Sequence, residues 1–590
     1  MNRDLIFAGL NDEQRGAVEA TTGPVCILAG AGTGKTTTIT RRIAWQVASG
    51  VFAPDELVAV TFTDKAAGGL RERLAALGVE GVRASTFHSA ALALVRRFTG
   101  DPGQILPTKA LLLRQIANRL PPPYKFRPAA DLATEVEWAK NRRLTPATYA
   151  ASLGDHEPPI PLDLMLRVFR EYERRKADAG AVDFEDLLER AVVLFEDDAG
   201  AAGLVRERWR AFTVDEYQDV NLLQQSLLDR WLGGRDELCA VGDDWQSIYG
   251  FTGASPSWLL RLPDRFPHAR VLRLEQSYRS TPQVVAVANR LAPKLRTSLP
   301  DGPDVVIAPD VDVPARIRDL GLPLEHIAVL VRTNARAADF EEQFHEGGIP
   351  FQGASLLGRE AARRVLRVLG REDGAVGEVV RRLALAEGWL ESPPEKLGAR
   401  EQTRQADLAR LVRLAASFEG SCDEFAASLH ERFGASAGRG VHLLTLHRAK
   451  GLEFDAVFLP RLEEGELPIR RGDVEEERRL FYVGITRAKT HLTITWSGKP
   501  SRFLREVTNQ LARPARDPIG GGPVFDALKE WRASRARDDA IPAYVIFHNT
   551  TLAEIAERQP RTLGELALIS GVGPAKLGKY GEEVLRVCAG

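Results

Sequence analysis

Val25-Cys26-Ile27-Leu28-Ala29-Gly30-Ala31-Gly32-Thr33-Gly34-Lys35-Thr36 decides the reading of this chain. Its first five residues are an apolar run of strand length. Glycines then alternate with small residues, and Lys35-Thr36 open an amphipathic helical stretch. Gly30, Gly32 and Gly34 let successive backbone N–H groups turn inward on an anion, and a helix beginning at Lys35 adds its dipole. The spacing is that of a phosphate loop, with Ala29 where many such loops carry glycine. It predicts Ala29, Gly30, Ala31, Gly32, Thr33 and Gly34 wrapped about a nucleoside triphosphate. Lys35 would reach the β- and γ-phosphates, and Thr36 would hold magnesium.

Leu57–Thr61, Ala211–Asp215, Leu238–Val241, Ile327–Val331 and Ala456–Leu459 are apolar runs of the same kind. Short strands separated by helical stretches predict an α/β fold with parallel, doubly wound sheets, here in two separate cores. Such sheets bind ligands at strand carboxyl ends. One such end is Asp215-Glu216. Asp215 is suited to hold magnesium through its water shell, and Glu216 to orient or deprotonate an attacking water. Alone, two acids after a strand are as often merely solvated; beside a phosphate loop they complete an ATPase site.

The strand signal fades between 105 and 180, where the pattern predicts a helical insert. A second insert, rich in Ala, Arg, Leu and Glu, is expected at 372–437. The first core is then 1–104 with 181–275, and the second 276–371 with 438–511. Pro514, Pro518, Gly520-Gly521-Gly522 and Pro523 make 512–524 a linker by composition, ahead of a helical module at 525–590. With 590 residues, 44% hydrophobic and 27% charged, the chain reads as a soluble globular protein with room for several cores. A net charge of −1 offers no general basic field, so any grip on nucleic acid must be a local groove. Cys26, Cys239, Cys422 and Cys588 form no Cys-x-x-Cys pair, which argues against a structural zinc or iron–sulfur cluster and fits a reducing cytoplasm. No apolar run approaches the ~20 residues of a membrane span.

Further segments stand in order along the chain: Leu10-Asn11-Asp12-Glu13-Gln14, Thr61-Phe62-Thr63-Asp64-Lys65-Ala66-Ala67, Ser85-Thr86-Phe87-His88-Ser89, Asp183-Phe184-Glu185-Asp186-Leu187-Leu188 and Val241-Gly242-Asp243-Asp244-Trp245-Gln246-Ser247-Ile248-Tyr249-Gly250-Phe251. Leu274-Glu275-Gln276-Ser277-Tyr278-Arg279-Ser280, Val331-Arg332-Thr333-Asn334, Thr445-Leu446-His447-Arg448-Ala449-Lys450-Gly451-Leu452-Glu453-Phe454 and Arg478-Arg479-Leu480-Phe481-Tyr482-Val483-Gly484-Ile485-Thr486-Arg487-Ala488 follow. From about residue 10 to 505 this series resembles the UvrD/Rep/PcrA helicases of superfamily 1.

The resemblance implies two RecA-like cores and ATP with Mg2+ in the cleft between them. Gln14 would bond adenine, Tyr278 would stack on it, and Thr37 would lie beside it. Gln246 would sense the γ-phosphate, Arg279 and Arg487 would reach it as arginine fingers, and Glu453 would lie near the ribose. DNA contacts are implied at Phe62, Lys65, Thr86, His88, Tyr249, Phe251, Arg332, Asn334, Thr445 and His447. Phe62 and Phe251 would stack on bases, while Lys65, Arg332 and His447 would grip the backbone. The implied activity is ATP-dependent 3′-5′ unwinding of DNA, acting on single strands and single-strand/duplex junctions in repair or recombination, with a repair protein as a partner. The alternative is a single-strand translocase with weak unwinding of its own.

Two departures from the pattern keep that alternative open: Thr252 stands where arginine is usual, and the second insert is much shorter than the family's. Thr37 also stands where close relatives have an arginine beside adenine, which implies looser base selectivity, and Ser277 replaces a common asparagine without an implied consequence. Residues 525–590 resemble an HRDC domain, and their Gly571-Val572-Gly573-Pro574-Ala575-Lys576 turn reads equally as a phosphate-binding or a plain helix turn.

Overall fold

The computed structural model describes residues 3–121, 124, 129–292, 294–353, 356–392, 399–433, 440–470, 472–508, 522–538, 543–547, 549–569 and 571–589. Most of the expected linker, 512–521, lies outside these, as do Ile541 and Pro542 of the C-terminal module.

Six strands form the first sheet: β1 (Val25–Ala29), β2 (Leu57–Thr61), β3 (Arg83–Thr86), β4 (Ala211–Val214), β5 (Leu238–Gly242) and β6 (Arg270–Leu274). Their order is β3-β2-β4-β5-β1-β6, all parallel. The reason lies in the side-chain alternation of a strand. Val25, Ile27 and Ala59 enter one apolar cluster with the helix Lys35–Ala48, while Cys26, Val58, Val60 and Phe212 enter another on the opposite face. A strand apolar on both sides is stable only between two layers of helix.

The second sheet repeats this plan with β7 (Val306–Pro309), β8 (Ile327–Val331), β9 (Phe351–Gly353), β10 (Val441–Thr445), β11 (Phe454–Leu459) and β12 (Ala488–Trp496), in the order β7-β12-β11-β8-β10-β9. Here Ile327, Val329 and Val331 face one cluster, and Ala328 and Leu330 the other. That second cluster also takes in Ala31 and Ile248 of the first core, with Trp245 and Tyr249 packed against it. The two cores therefore share apolar contact across the cleft.

The first insert has its own core, around Leu132, Trp138, Met165 and Phe169. The chain enters and leaves it side by side, Gln104 pairing with Ala181 and Ile105 with Val182. Asp183, at that junction, caps the helix Phe184–Asp197 and binds the ammonium groups of Lys140 and Lys176. Burial alone would push Asp183 up; Lys140, Lys176 and Lys109 hold its carboxyl well below the usual range.

The second insert packs around Val380, Leu408, Leu411 and Phe425. Leu356 and the helix Glu360–Leu369 join this cluster, so the helical body begins ahead of residue 372. Its bond to the second core is ionic and buried. Glu341, on the helix Asn334–Glu346, accepts from Arg359 at 2.7 Å and Arg410 at 2.8 Å, and Arg359 also pairs with Asp407. The C-terminal module is helical, closing over Leu528, Phe547, Leu552, Ile555 and Val584.

Candidate nucleotide cleft and single-strand track

The loop after β1 takes its shape from backbone conformations that suit glycine. Gly32 and Gly34 have φ of 74° and 79°, a region costly for residues with a Cβ. A Cβ on Gly32 would lie 2.6 Å from Arg279 Cβ, and one on Gly34 2.6 Å from Gln14 Nε2. Gln14 is held in place by a reciprocal cap with Asn11, and its amide donates to Thr33 O at 3.0 Å. Lys35 Nζ donates to Ala29 O at 3.4 Å. Thr37 and Tyr278 are exposed at the mouth of the cleft.

Asp215 follows β4 directly, and its N–H completes the ladder onto Val60 O. Glu216 then turns sharply, at φ 52° and ψ 40°. A non-glycine residue held there costs on the order of 1–3 kcal/mol, and such outliers concentrate at working sites. Its N–H donates to Asp215 Oδ1 at 2.9 Å. Gln218, fully buried, donates to Glu216 Oε2 and accepts from the Asp243 N–H at 2.9 Å. Burial, and then the neighbouring Glu216 carboxylate, push Asp215 up to about 7 against the pull of Lys35. Burial opposes charge on Glu216 too, but Lys35 and Lys450 outweigh it and hold that carboxyl low. A glycine cradle with a lysine at its base, facing two acids, fits a magnesium-bound triphosphate by the chemistry of its donors.

The second core supplies the opposite wall. Tyr278 N–H donates to Gly32 O at 2.9 Å, which brings Arg279 against the phosphate loop. The Arg279 guanidinium is held by Glu453 at 2.8 Å and by Thr486 O at 3.0 Å. Arg487 is buried and donates to the carbonyls of Val483 and Leu452. Burial, with Arg279 beside it, pushes Arg487 down to about 9. Gln246 donates to Asp243 Oδ2 at 2.7 Å.

Three further cations join the cores, and the sequence reading gave none of them a role. Lys450 of the second core pairs with Asp219, donates to Gln246 O at 2.7 Å and lies 5.0 Å over the Tyr249 ring. Its ammonium is 3.9 Å from Glu216 Oε2. Lys294 pairs with Asp243 and Asp244, and Arg479 donates to Ser247 O at 2.7 Å. The segment Val241–Phe251 is thus gripped along its length by the second core. The available signal was position: Lys450 and Arg479 lie inside segments already singled out.

The same segment ends in an aromatic row. Phe62 lies parallel to Tyr249 at 5.9 Å, Tyr249 meets Phe251 at 6.2 Å, and Phe251 meets His447 edge-on at 5.9 Å. Phe62 and Phe251 are 40% and 45% exposed, and Tyr249 between them joins the rings into one patch rather than leaving them scattered. His88 touches Phe184 edge-on. Burial pushes His88 down to about 4 and His447 down to about 3, which favours the neutral imidazole at both. Lys65 is exposed at the start of the helix Asp64–Ala76. The other expected contacts sit deeper. Thr86 is buried and caps the helix Phe87–Phe98. Thr445 is buried, Arg332 is turned onto Glu477 at 2.7 Å, and the buried amide oxygen of Asn334 has no hydrogen-bond partner among the described residues.

Fold and cleft define a class: a two-core phosphate-loop motor, with acids and loop on one core and arginines on the other. Residues 10–267 match the UvrD/REP helicase N-terminal domain, 399–499 the UvrD-like helicase C-terminal domain and 522–588 the HRDC domain. The chain belongs to the UvrD-like family of ATP-dependent DNA helicases. It is 39% identical to the ATP-dependent DNA helicase UvrD2 of Mycobacterium tuberculosis, over all of this chain and 99% of that protein. That alignment runs over 697 positions against 590 residues here, so the relative carries stretches without counterpart. Identity is 29% with a probable DNA helicase II homolog of Rickettsia conorii, over 86% of this chain and 97% of the relative. It is 28% with UvrD1 of Mycobacterium tuberculosis, over 97% and 95%. Among the described residues no helix is long and apolar enough to cross a membrane.

Proposed function

We propose that this chain hydrolyses ATP to move 3′ to 5′ along single-stranded DNA, opening duplex at junctions in repair or recombination. The observation that carries the reading is Lys450. One ammonium pairs with Asp219, lies 3.9 Å from Glu216 Oε2 and sits over the Tyr249 ring of the aromatic row, so a change at the γ-phosphate would be felt where bases would stack.

In this reading Gln14 and Tyr278 hold the adenine and Glu453 the ribose. The phosphate loop and Lys35 cradle the phosphates, and Thr36 and Asp215 hold the magnesium ion. Bound there, that ion would neutralise charge on the β- and γ-phosphates. The Glu216 carboxylate, kept ionised by Lys35 and Lys450, orients the attacking water and accepts its proton. Arg279 exchanges Glu453 for the γ-phosphate, and Arg487 approaches beside it. Both belong to the second core, so turnover and cleft closure are one event. Phe62 and Phe251 stack on bases without sequence preference, at about 1–3 kcal/mol per base.

The direct test is ATP hydrolysis with and without single-stranded DNA, beside strand displacement from 3′-tailed and 5′-tailed duplexes. Stimulation by DNA and displacement from the 3′ tail alone are expected. Absence of stimulation removes the motor reading, and displacement from the 5′ tail alone reverses the polarity. A second reading, translocation with weak unwinding, is favoured by Thr252, whose carbonyl is taken by Asn141 of the first insert at 2.8 Å. In that case hydrolysis is stimulated while neither duplex opens.

A further inference from the structure

The first sheet carries a cavity at the opposite end from the candidate nucleotide cleft. It measures about 320 Å3 and is lined by Arg83, Arg97 and Arg208 together with Phe98, Leu204 and Trp209. Arg83 opens β3, Arg97 lies in the last turn of the helix Phe87–Phe98, and Arg208 ends the helix Ala199–Arg208. All three are therefore at the amino ends of strands, away from the carboxyl ends that hold the cleft and the aromatic row.

Among the described residues none of these arginines makes a salt bridge, and the lining also contains one acid, Asp55. Arg83 is half-buried and its Nε has no hydrogen-bond partner. Burial, and then Arg208, push its guanidinium down. A desolvated cation beside a like charge is an expensive arrangement, relieved when an anion enters. Leu204 is 57% exposed at the same place, so the cavity offers apolar cover as well as charge.

We propose that this cavity receives an acidic peptide segment of a partner protein. Its carboxylates would lie on Arg83, Arg97 and Arg208, and a bulky aliphatic side chain would lie against Leu204. The volume is at the lower end of small-ligand sites, about 300–1,000 Å3, and far exceeds a bare phosphate. A nucleotide base is disfavoured because guanidinium groups already face the available rings, Arg83 over Trp209 at 4.9 Å and Arg97 over Phe98 at 5.4 Å.

The experiment uses the full chain and a fluorescein-labelled peptide of three glutamates followed by two leucines, read by anisotropy. Binding is expected, and at least ten-fold weaker binding is expected for a glutamine-for-glutamate peptide and for the variant carrying Arg97→Glu and Arg208→Glu. That variant should keep its DNA-stimulated ATP hydrolysis, since neither residue belongs to cleft or track. If charge reversal disturbs the fold, Arg97→Gln with Arg208→Gln carries the same expectation at smaller size. Equal binding by wild type and variant overturns the proposal. So does absence of binding to wild type, or displacement of the peptide by inorganic phosphate or a thymidine oligonucleotide at equal concentration.

Discussion

The nucleotide cleft and the aromatic row lie a few residues apart and are built in opposite ways. In the cleft nearly every polar group already has a protein partner: Lys35 on Ala29 O, Gln14 on Thr33 O, Gln246 on Asp243, Arg279 on Glu453. A substrate there must exchange partners, and exchange is what makes a site switchable. The row has few polar commitments. Phe62 and Phe251 stand open and meet neighbouring rings. In the proposed reading it is a platform formed in advance, on which any base would stack.

Variants can break that contrast. The largest effect is expected for Arg279→Ala, which removes an exchanging group: turnover should fall roughly 10³- to 10⁵-fold while affinity for single-stranded DNA, by anisotropy, stays near wild type. Glu216→Gln should lower turnover by roughly 10²- to 10⁴-fold and leave nucleotide binding intact; unchanged turnover would take Glu216 out of the hydrolytic step. Lys450→Met should abolish the stimulation of hydrolysis by DNA while both ligands still bind, because it cuts a contact that the two regions share. Phe62→Ala or Phe251→Ala should cost about 1–3 kcal/mol of DNA binding, seen as a higher DNA concentration for half-maximal stimulation with an unchanged plateau. The smallest effect is expected for Lys65→Ala, which should flatten the slope of log affinity against log salt by about 0.7, one phosphate contact on a single strand.

How far the sequence could be read follows from the same physics. Val25–Ala29 and Ile327–Val331 are legible as strands because both faces are buried, which demands an unbroken apolar run. Arg83–Thr86 and Arg270–Leu274 escape notice because they are sheet edges, partly exposed, and carry charge. In the cleft, Lys35, Thr36 and Asp215 are legible because local backbone shape and side-chain chemistry fall together within a few residues. Lys450 and Lys294 are not, since their partners Asp219 and Asp243 lie 231 and 51 residues away and only the fold brings them together. The strain at Glu216 leaves no local trace either, as nothing in Val214-Asp215-Glu216-Tyr217 requires a left-handed residue.

Glu341, Arg359, Asp407 and Arg410 rivet the second insert to its core. Removing one partner of such a buried pair costs about 3–5 kcal/mol, so any swing of the insert about that joint has to part buried ion pairs. Yet its helix Ala399–Ala416 also rests against the helix Ala129–Asn141 of the first insert. A shift of one core against the other would therefore load two joints at once, the buried ion pairs at one end of the insert and the helix-on-helix seam at the other.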